Sequence, residues 1–251
     1  MGCYAAGQGT SMKSHLAAIA LVLLSLPIGA LAQTPPPPME PLRIKNEDLP
    51  VYPNELVTTG VRKGDARVAY SVDAAGKVDD CLAVAYTHAE FARAAEGAVW
   101  RWKFEPARLR GIPVASTADV IMHFEVQGVV VVRMTVSDTM TARFTSLDVL
   151  GTNYRARELR ELDRIPALIV ATPPDYPLGL IEKGHSGNVT VHFYIDESGA
   201  VRLPSADLAD DPVLTALAIN AMSRWRFEPP KCRGAPVLVR ADQLFKFSKP
   251  K

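Results

Sequence analysis

Two long stretches of this 251-residue sequence repeat one another at a constant spacing. Segment 64–78 returns as segment 187–201, and Arg-Trp-Lys-Phe-Glu-Pro at 101–106 returns as Arg-Trp-Arg-Phe-Glu-Pro at 224–229. About sixty positions align in this way without a gap, which indicates an internal duplication. Each copy must therefore build a small hydrophobic core of its own, and this limits the fold to something that about 80 residues can complete.

Each copy begins with an alternating pattern that predicts a β-hairpin. In the second copy Val189, Val191, Phe193 and Ile195 alternate with polar residues, as expected for a strand with one buried face. A turn sequence follows in both copies, at 73–76 and at 196–199, and it ends in glycine. A second strand then starts at Val78 or Val201.

A helix follows the hairpin, and a last strand closes each copy. Asp211 before Pro212 predicts one helix start, and Thr87 with Glu90 predicts a capping box at the other. Apolar residues then recur at helical spacing, which predicts one face packed on the sheet; they are Phe91, Ala94, Ala95, Ala98, Val99 and Trp102, with Leu214, Leu217, Ala218, Ala221, Met222 and Trp225 as counterparts. The final strands end at Phe124 and Phe247. The predicted fold class is α+β, with two tandem domains of strand-strand-helix-strand order.

The combined pattern resembles the C-terminal domain of the TonB family. It comprises a Tyr-Pro pair, an alternating strand ending in Asp-x-x-Gly, a helix ending in Trp-Arg-Phe-x-Pro, and Gly-x-Pro-Val before the closing strand. The second copy carries it through Tyr176, Pro177, Gly187, Asp196, Gly199, Trp225, Arg226, Phe227, Pro229, Gly234, Pro236 and Val237. The first copy departs at Lys103. The likeness covers roughly residues 42–126 and 165–248.

The resemblance implies a periplasmic protein-binding module rather than an enzyme. Such a module holds an extended segment of an outer-membrane transporter, or of another cell-envelope protein, by adding it as a strand to an open sheet edge. The last strand is the expected edge, which nominates Tyr176, Pro177, Val237, Val239, Phe245 and Phe247 as partner-binding residues. Apolar residues on a strand are also typical of a core, so the prediction concerns mainly their backbone groups.

The N-terminus predicts export. Segment 16–32 is apolar, follows Lys13 and ends in Ala-Leu-Ala, which is typical of a signal peptide cleaved between Ala32 and Gln33. The alternative is an uncleaved inner-membrane anchor, as in an energy transducer coupled to a proton-driven complex. The proline-rich linker 33–41 would reach only about 28 Å in polyproline geometry, which is too short to cross the periplasm. A periplasmic location is therefore the first prediction.

The expected domain limits follow from the repeat and its flanks. Residues 1–32 form the leader and signal peptide, 42–137 the first domain, 138–164 the inter-domain linker and 165–251 the second domain. The apolar run at 129–136 predicts an additional strand of the first domain. The charged stretch 154–164 predicts a short helix in the linker.

Two cysteines remain after the leader is removed, Cys81 and Cys232. In an oxidising compartment they form either one bridge, which would join the two copies, or two unpaired thiols. The sequence leaves both alternatives open.

Composition and motifs argue against other functions. The mature chain would carry 27 basic and 27 acidic residues, which does not suggest a nucleic-acid-binding surface. The sequence 184–188 misses the Gly-x-Ser-x-Gly nucleophile pattern and precedes a strand, and the histidines lack metal-ligand spacing. Turn geometry accounts for Asp73 and Asp196. We therefore predict no catalytic residue, metal, cofactor or small-molecule substrate.

Overall fold

The computed structural model describes residues 39–126, 130–137, 153–183, 185–206 and 211–248. The leader, the proposed cleavage site at Ala32 and Gln33, and most of linker 33–41 lie outside the described residues. Residues 138–152 of the expected inter-domain linker also lie outside them.

The first domain is a five-stranded antiparallel sheet with one helix on its face. Its elements in chain order are β1 (Arg43–Asn46), α1 (Asn54–Thr58), β2 (Lys63–Val72), β3 (Val78–Tyr86), α2 (Ala89–Val99), β4 (Lys103–Glu105), β5 (Arg108–Leu109), β6 (Ile112–Pro113), β7 (Ser116–Val126) and β8 (Val130–Ser137). Four of its strands lie in the order β8-β7-β2-β3, and a short strand of the segment that connects the domains adds the fifth beside β3. Strand β8 is the additional strand predicted from the apolar run.

The second domain repeats this architecture. Its elements, with the connecting segment, are β9 (Tyr154–Arg155), β10 (Arg157–Glu158), β11 (Leu168–Val170), α3 (Leu178–Glu182), β12 (Gly187–Ile195), β13 (Val201–Ala206), α4 (Pro212–Met222), β14 (Arg226–Phe227), β15 (Lys231–Cys232), β16 (Ala235–Pro236) and β17 (Val239–Phe247). Its main sheet has the order β10-β17-β12-β13. The predicted fold class and element order are confirmed.

Most of the predicted helix stripe lies in the two cores, but Trp102 and Trp225 follow the helices, which end at Val99 and Met222. Phe91, Ala95, Ala98 and Val99 of α2 are buried against the first sheet, and Leu214, Ala218, Ala221 and Met222 of α4 against the second. The Asp211 carboxylate caps α4 by accepting hydrogen bonds from the backbone of residues 213 and 214. The predicted capping box of α2 is wrong. His88 takes the N-cap position, because the Thr87 hydroxyl instead accepts a hydrogen bond from the Asp65 backbone at 3.0 Å.

The Asp-x-x-Gly turn is required by packing. The Asp196 carboxylate accepts hydrogen bonds from the turn backbone, and Gly199 has φ +88°. A Cβ at Gly199 would lie 1.9 Å from the carbonyl oxygen of Phe227, whose N–H donates to the Gly199 carbonyl at 2.9 Å. In the first domain a Cβ at Gly76 would lie 2.2 Å from the carbonyl oxygen of Phe104. Both turns therefore need glycine where the strand after the helix crosses the hairpin.

The two domains share a third core, because their sheets contact each other through the faces that carry no helix. Leu203 and Tyr194 of the second domain are buried there against the first. The other buried members are small or branched apolar residues; they are Ala69, Val84, Ala156 and Leu238. The two copies therefore pack against each other within one compact unit.

A charged contact joins the domains beside this core. The Arg202 guanidinium binds the Asp80 carboxylate with both Nε and Nη2, and it also donates to the Cys81 carbonyl at 3.2 Å. The Leu203 N–H donates to the same carboxylate at 3.3 Å. The hydrogen bond to Asp80 raises the pKa of Arg202. The contact fixes the second hairpin on the first.

The connecting segment is not the short helix predicted for 154–164. Strand β9 pairs with β3, and strand β10 pairs in parallel with β17. The Ala156 N–H donates to the Val84 carbonyl at 2.7 Å, and the next N–H donates to the Leu238 carbonyl at 2.8 Å. Because two sheet edges use these backbone groups, only one 3₁₀ turn forms, at Leu159–Glu161.

One carboxylate holds this crossing in place. Glu161 accepts two hydrogen bonds from the Arg155 guanidinium, at 2.6 and 2.8 Å, and one from the Glu158 backbone. The Arg155 hydrogen bonds lower the pKa of Glu161 to about 2. The segment is therefore built as a strand that passes from one sheet to the other.

Candidate partner-binding edge

On the last strand, the side chains of the residues predicted to bind a partner belong to the hydrophobic core. Val239, Phe245 and Phe247 are buried beneath α4, and Val237 packs partly against the same cluster. These side chains stabilise β17 and do not face a partner. The strand can therefore offer a partner its outward backbone groups and the side chains that alternate with these buried ones.

The Tyr-Pro pair also has an architectural position. The Tyr176 ring packs edge-on against Phe247 at 5.2 Å between centroids, and its hydroxyl donates to the His185 carbonyl. Pro177 is exposed and precedes α3 as its N-cap. The Trp225 indole N–H likewise donates to the Thr172 carbonyl at 2.8 Å. The motif thus ties the segment before the sheet to the end of β17.

The outer edge of the last strand is filled in the first domain. Strand β8 pairs antiparallel with β7 over eight residue pairs, from Asp119 opposite Ser137 to Val126 opposite Val130. On its other side β7 pairs with β2. The last strand of the first repeat is therefore flanked on both sides by strands of its own chain.

The same edge is open over most of its length in the second domain. On one side β17 pairs with β12 from Val239 to Phe247. On the other side β10 reaches only Val239 and Arg240. Within the described residues, no strand pairs with this side of β17 from Ala241 onward.

The pairing pattern identifies which backbone groups face outward. The Leu238 carbonyl accepts from β10, so this residue points its backbone away from β12. Because the direction alternates along a strand, the backbone groups of Asp242, Leu244 and Lys246 also point to the outer edge. The Gln243 side-chain amide donates to the Leu244 carbonyl at 2.9 Å. We call Asp242, Leu244 and Lys246 the β17 edge residues.

The side chains of the β17 edge residues lie on the face without the helix. All three are exposed, and Leu244 has 44% of its surface accessible. The Asp242 carboxylate is 2.7 Å from the Nδ1 atom of His192 on β12, and this hydrogen bond lowers the pKa of Asp242. The edge therefore presents an ionised carboxylate, an apolar side chain and an ammonium group in succession.

A comparison with known families identifies the family of the two repeats. The model of the Gram-negative bacterial TonB protein C-terminal family matches residues 48–126 and 172–248. Together these two regions make up more than half of the chain. The chain belongs to this family. The comparison with curated proteins found no match.

The strands that make the outer edges of β7 and β17 differ lie outside the two regions matched by the TonB C-terminal family. Strand β8 lies beyond the first region, and β9 and β10 lie between the two. The β17 edge residues fall inside the second region, but sequence reasoning missed them. The alternating pattern predicts which side chains are buried. It does not predict which neighbouring strand each backbone group faces.

Other candidate chemistry has structural explanations in this TonB C-terminal protein. The His185 Nδ1 atom lies 2.6 Å from the Asp211 carboxylate that caps α4, and Ser186 leads directly into β12. Within the described residues no group of histidines, cysteines and carboxylates is arranged to hold a metal ion. Cys81 and Cys232 are both free thiols.

None of the helices in the described part of the chain combines the length and the apolar composition that a membrane crossing demands. The apolar segment 16–32 lies outside that part.

Proposed function

We propose that this protein is a periplasmic protein-binding module that holds an extended segment of an outer-membrane transporter, or of another cell-envelope protein, by adding it as a strand to the outer edge of β17. The observation that carries the proposal is the difference between the two copies. The first repeat has β8 on this edge, whereas the second has only β10 at its beginning. An open strand edge is a template for another chain.

The edge is suited to strand addition because it is rigid and only partly apolar. Strand β17 is held by nine residue pairs with β12 and by a core in which Phe245 and Phe247 are buried. A partner would form hydrogen bonds with the backbone donors and acceptors of the three β17 edge residues. These bonds supply affinity whatever the partner's sequence. The exposed side chains would supply selectivity.

This role requires neither a catalytic residue nor a cofactor. It agrees with membership in the TonB C-terminal family and with the export signal expected from the sequence. Export through that signal would place the module where segments of outer-membrane proteins are accessible.

A photo-crosslinking experiment in living cells tests the proposal. We would place a photoreactive residue at Lys246 and expect an adduct with an envelope protein. The matched control is the same residue at His123, the equivalent position on β7, where β8 fills the edge. The control should give no such adduct.

Two substitutions then test whether the adduct depends on the backbone. Leu244→Pro removes an outward N–H without breaking the β12 ladder, so it should abolish the adduct and leave the fold intact. Leu244→Ala keeps the N–H and should retain most of it. An adduct that survives Leu244→Pro in the folded protein would refute strand addition at this edge.

A further inference from the structure

The two copies differ at the arginine that follows the helix of each domain. In the first copy this residue is Arg101, whose Nε atom lies 2.5 Å from the Asp48 carboxylate. The Trp102 indole N–H donates to the Asp48 carbonyl at 2.9 Å. Trp225 makes the same hydrogen bond to the Thr172 carbonyl at 2.8 Å, so Thr172 occupies the position of Asp48. The second copy therefore lacks the carboxylate that binds this arginine in the first.

Arg224, the equivalent of Arg101 in the second copy, keeps donors available. Its Nε atom donates to the Asn220 carbonyl on α4 at 3.1 Å, which holds the side chain along the helix. Among the residues that the structure describes, no carboxylate forms an ion pair with Arg224. Because a guanidinium has N–H donors on its two Nη atoms as well, Arg224 can bind a further group.

A pocket lies beside this guanidinium. Its volume is about 250 Å³, and it is lined by Asp175, Leu217, Asn220 and Arg224. A water molecule takes up about 30 Å³ of liquid, so the pocket has room for about eight of them. Asp175 is exposed and likewise forms no ion pair with a described residue. The pocket therefore contains one cation and one anion that do not bind each other.

The first copy does not repeat this combination. Val51 and Gly97 occupy the positions of Asp175 and Asn220. The arginine of the first copy is bound by its own chain, and the acidic and amide side chains are replaced by an apolar residue and a glycine. The duplication therefore shows the same place once filled by a carboxylate of the chain and once open.

We propose that the pocket of the second copy binds a small amino carboxylate, whose carboxylate contacts the Arg224 guanidinium and whose ammonium group contacts Asp175. The planar guanidinium fits a carboxylate through two parallel hydrogen bonds. The Leu217 side chain would pack against the carbon chain between the two charged groups. Asp175 disfavours an anion without an ammonium group and Arg224 disfavours a lone amine, so the pocket selects molecules that carry both charges.

This site is independent of the proposed strand addition. Leu217 and Asn220 belong to α4, which covers the face of the sheet where Phe245 and Phe247 are buried. The side chains of the β17 edge residues lie on the other face. A result at the pocket therefore leaves the proposed function as it stands.

An NMR titration tests the site on the purified chain that begins at Gln33. The probe is γ-aminobutyrate, and butyrate and butylamine are its matched controls because each lacks one of the two charged groups. We expect a saturable shift of the Asn220 side-chain amide signals with a Kd of about 1 mM, because exposed ion pairs are weak. Each control should bind about fivefold more weakly. The absence of a saturable shift with γ-aminobutyrate, or equal binding of butyrate, would overturn the proposal.

Substitutions in both copies test the role of Arg224. Thr172→Asp supplies the carboxylate that the first copy has, so it should occupy Arg224 and weaken the binding of γ-aminobutyrate about fivefold in a folded protein. Arg224→Gln should have an effect of the same size. Arg101→Gln in the first copy is the control and should leave the affinity unchanged. Full affinity in Thr172→Asp or Arg224→Gln, or an equal loss in Arg101→Gln, would overturn the assignment.

A last substitution tests the other end of the ligand. Asp175→Asn should weaken the binding of γ-aminobutyrate about fivefold and should not weaken that of butyrate, which has no ammonium group. Unchanged binding of γ-aminobutyrate, or an equal loss for both ligands, would overturn the contact between Asp175 and the ammonium group.

Discussion

Replacing Gly199 and Gly234 by alanine in turn distinguishes the cost of a steric clash from the cost of a positive φ. Gly199 and Gly234 both have positive φ, +88° and +78°. A Cβ at Gly199 would lie 1.9 Å from the Phe227 carbonyl oxygen, whereas one at Gly234 would meet nothing within 4 Å. Gly234→Ala is therefore a matched control that contains the conformational cost alone.

The two substitutions should differ severalfold in free energy of unfolding. An alanine in the left-handed region costs roughly 1 kcal/mol, which is the whole expected effect of Gly234→Ala. At Gly199 the clash adds the loss of the hydrogen bond from the Phe227 N–H, about 1 kcal/mol. It also displaces the Phe227 ring from its stack on Phe193, where the centroids lie 5.9 Å apart, at a packing cost of about 1 to 2 kcal/mol. We expect Gly199→Ala to destabilise by about 3 to 4 kcal/mol.

Urea denaturation followed by circular dichroism measures the difference. With a slope of about 2 kcal/mol per molar urea, the midpoint should fall by about 0.5 M for Gly234→Ala and by at least about 1.5 M for Gly199→Ala. Equal shifts would refute the reasoning, because they would mean that the close approach of Phe227 relaxes without cost. Such a result would leave the positive φ of Gly199 as the remaining reason for glycine in the Asp-x-x-Gly motif.

Two further predictions concern the contact between the domains and the cysteines. Arg202→Met should lower the free energy of unfolding by about 2 kcal/mol, because it leaves the partly buried Asp80 carboxylate without its cation. The double variant with Asp80→Asn should recover part of this loss. If the effects of the two substitutions in urea denaturation simply add, the two side chains do not interact. Thiol titration of the chain that begins at Gln33 should find two free thiols after denaturation without reductant. In the native form of that chain only Cys232 should react fast, since Cys81 is buried and burial raises the pKa of its thiol. A single bridge, with no titratable thiol, would contradict the second prediction.

The duplication allows each copy to cover a sheet face of the other. Each sheet has one face covered by its own helix and another that a lone domain would expose. Packing these second faces together buries Tyr194 and Leu203 without the use of another protein. Because this contact involves sheet faces, it leaves the outer edge of β17 accessible for the proposed strand addition.

The amino-acid sequence by itself determined the elements of each repeat. Alternation at 189–195 has a period of two and the stripe of α4 a period near 3.6, so neighbouring residues suffice to specify them. The hydrogen bonds from the backbone of each Asp-x-x-Gly turn to its own aspartate are also local, although the contact that excludes a side chain at Gly76 and Gly199 is tertiary. The resemblance to TonB C-terminal domains rested on these local patterns, and the family match confirms it.

Only the tertiary structure decided which surfaces meet and which edge stays open. Ala69 and Leu203 lie on the strand faces opposite the helices, where a lone domain would meet solvent, and they are buried because the other copy covers them. Residues 154–158 have the charged composition of an exposed helix, yet they pair with β3 and β17 because those edges offer unpaired backbone groups. The outward direction of Leu244 depends on the neighbours of β17 in the sheet. Pairing between residues far apart in the chain sets all three features, and local periodicity does not encode such pairing.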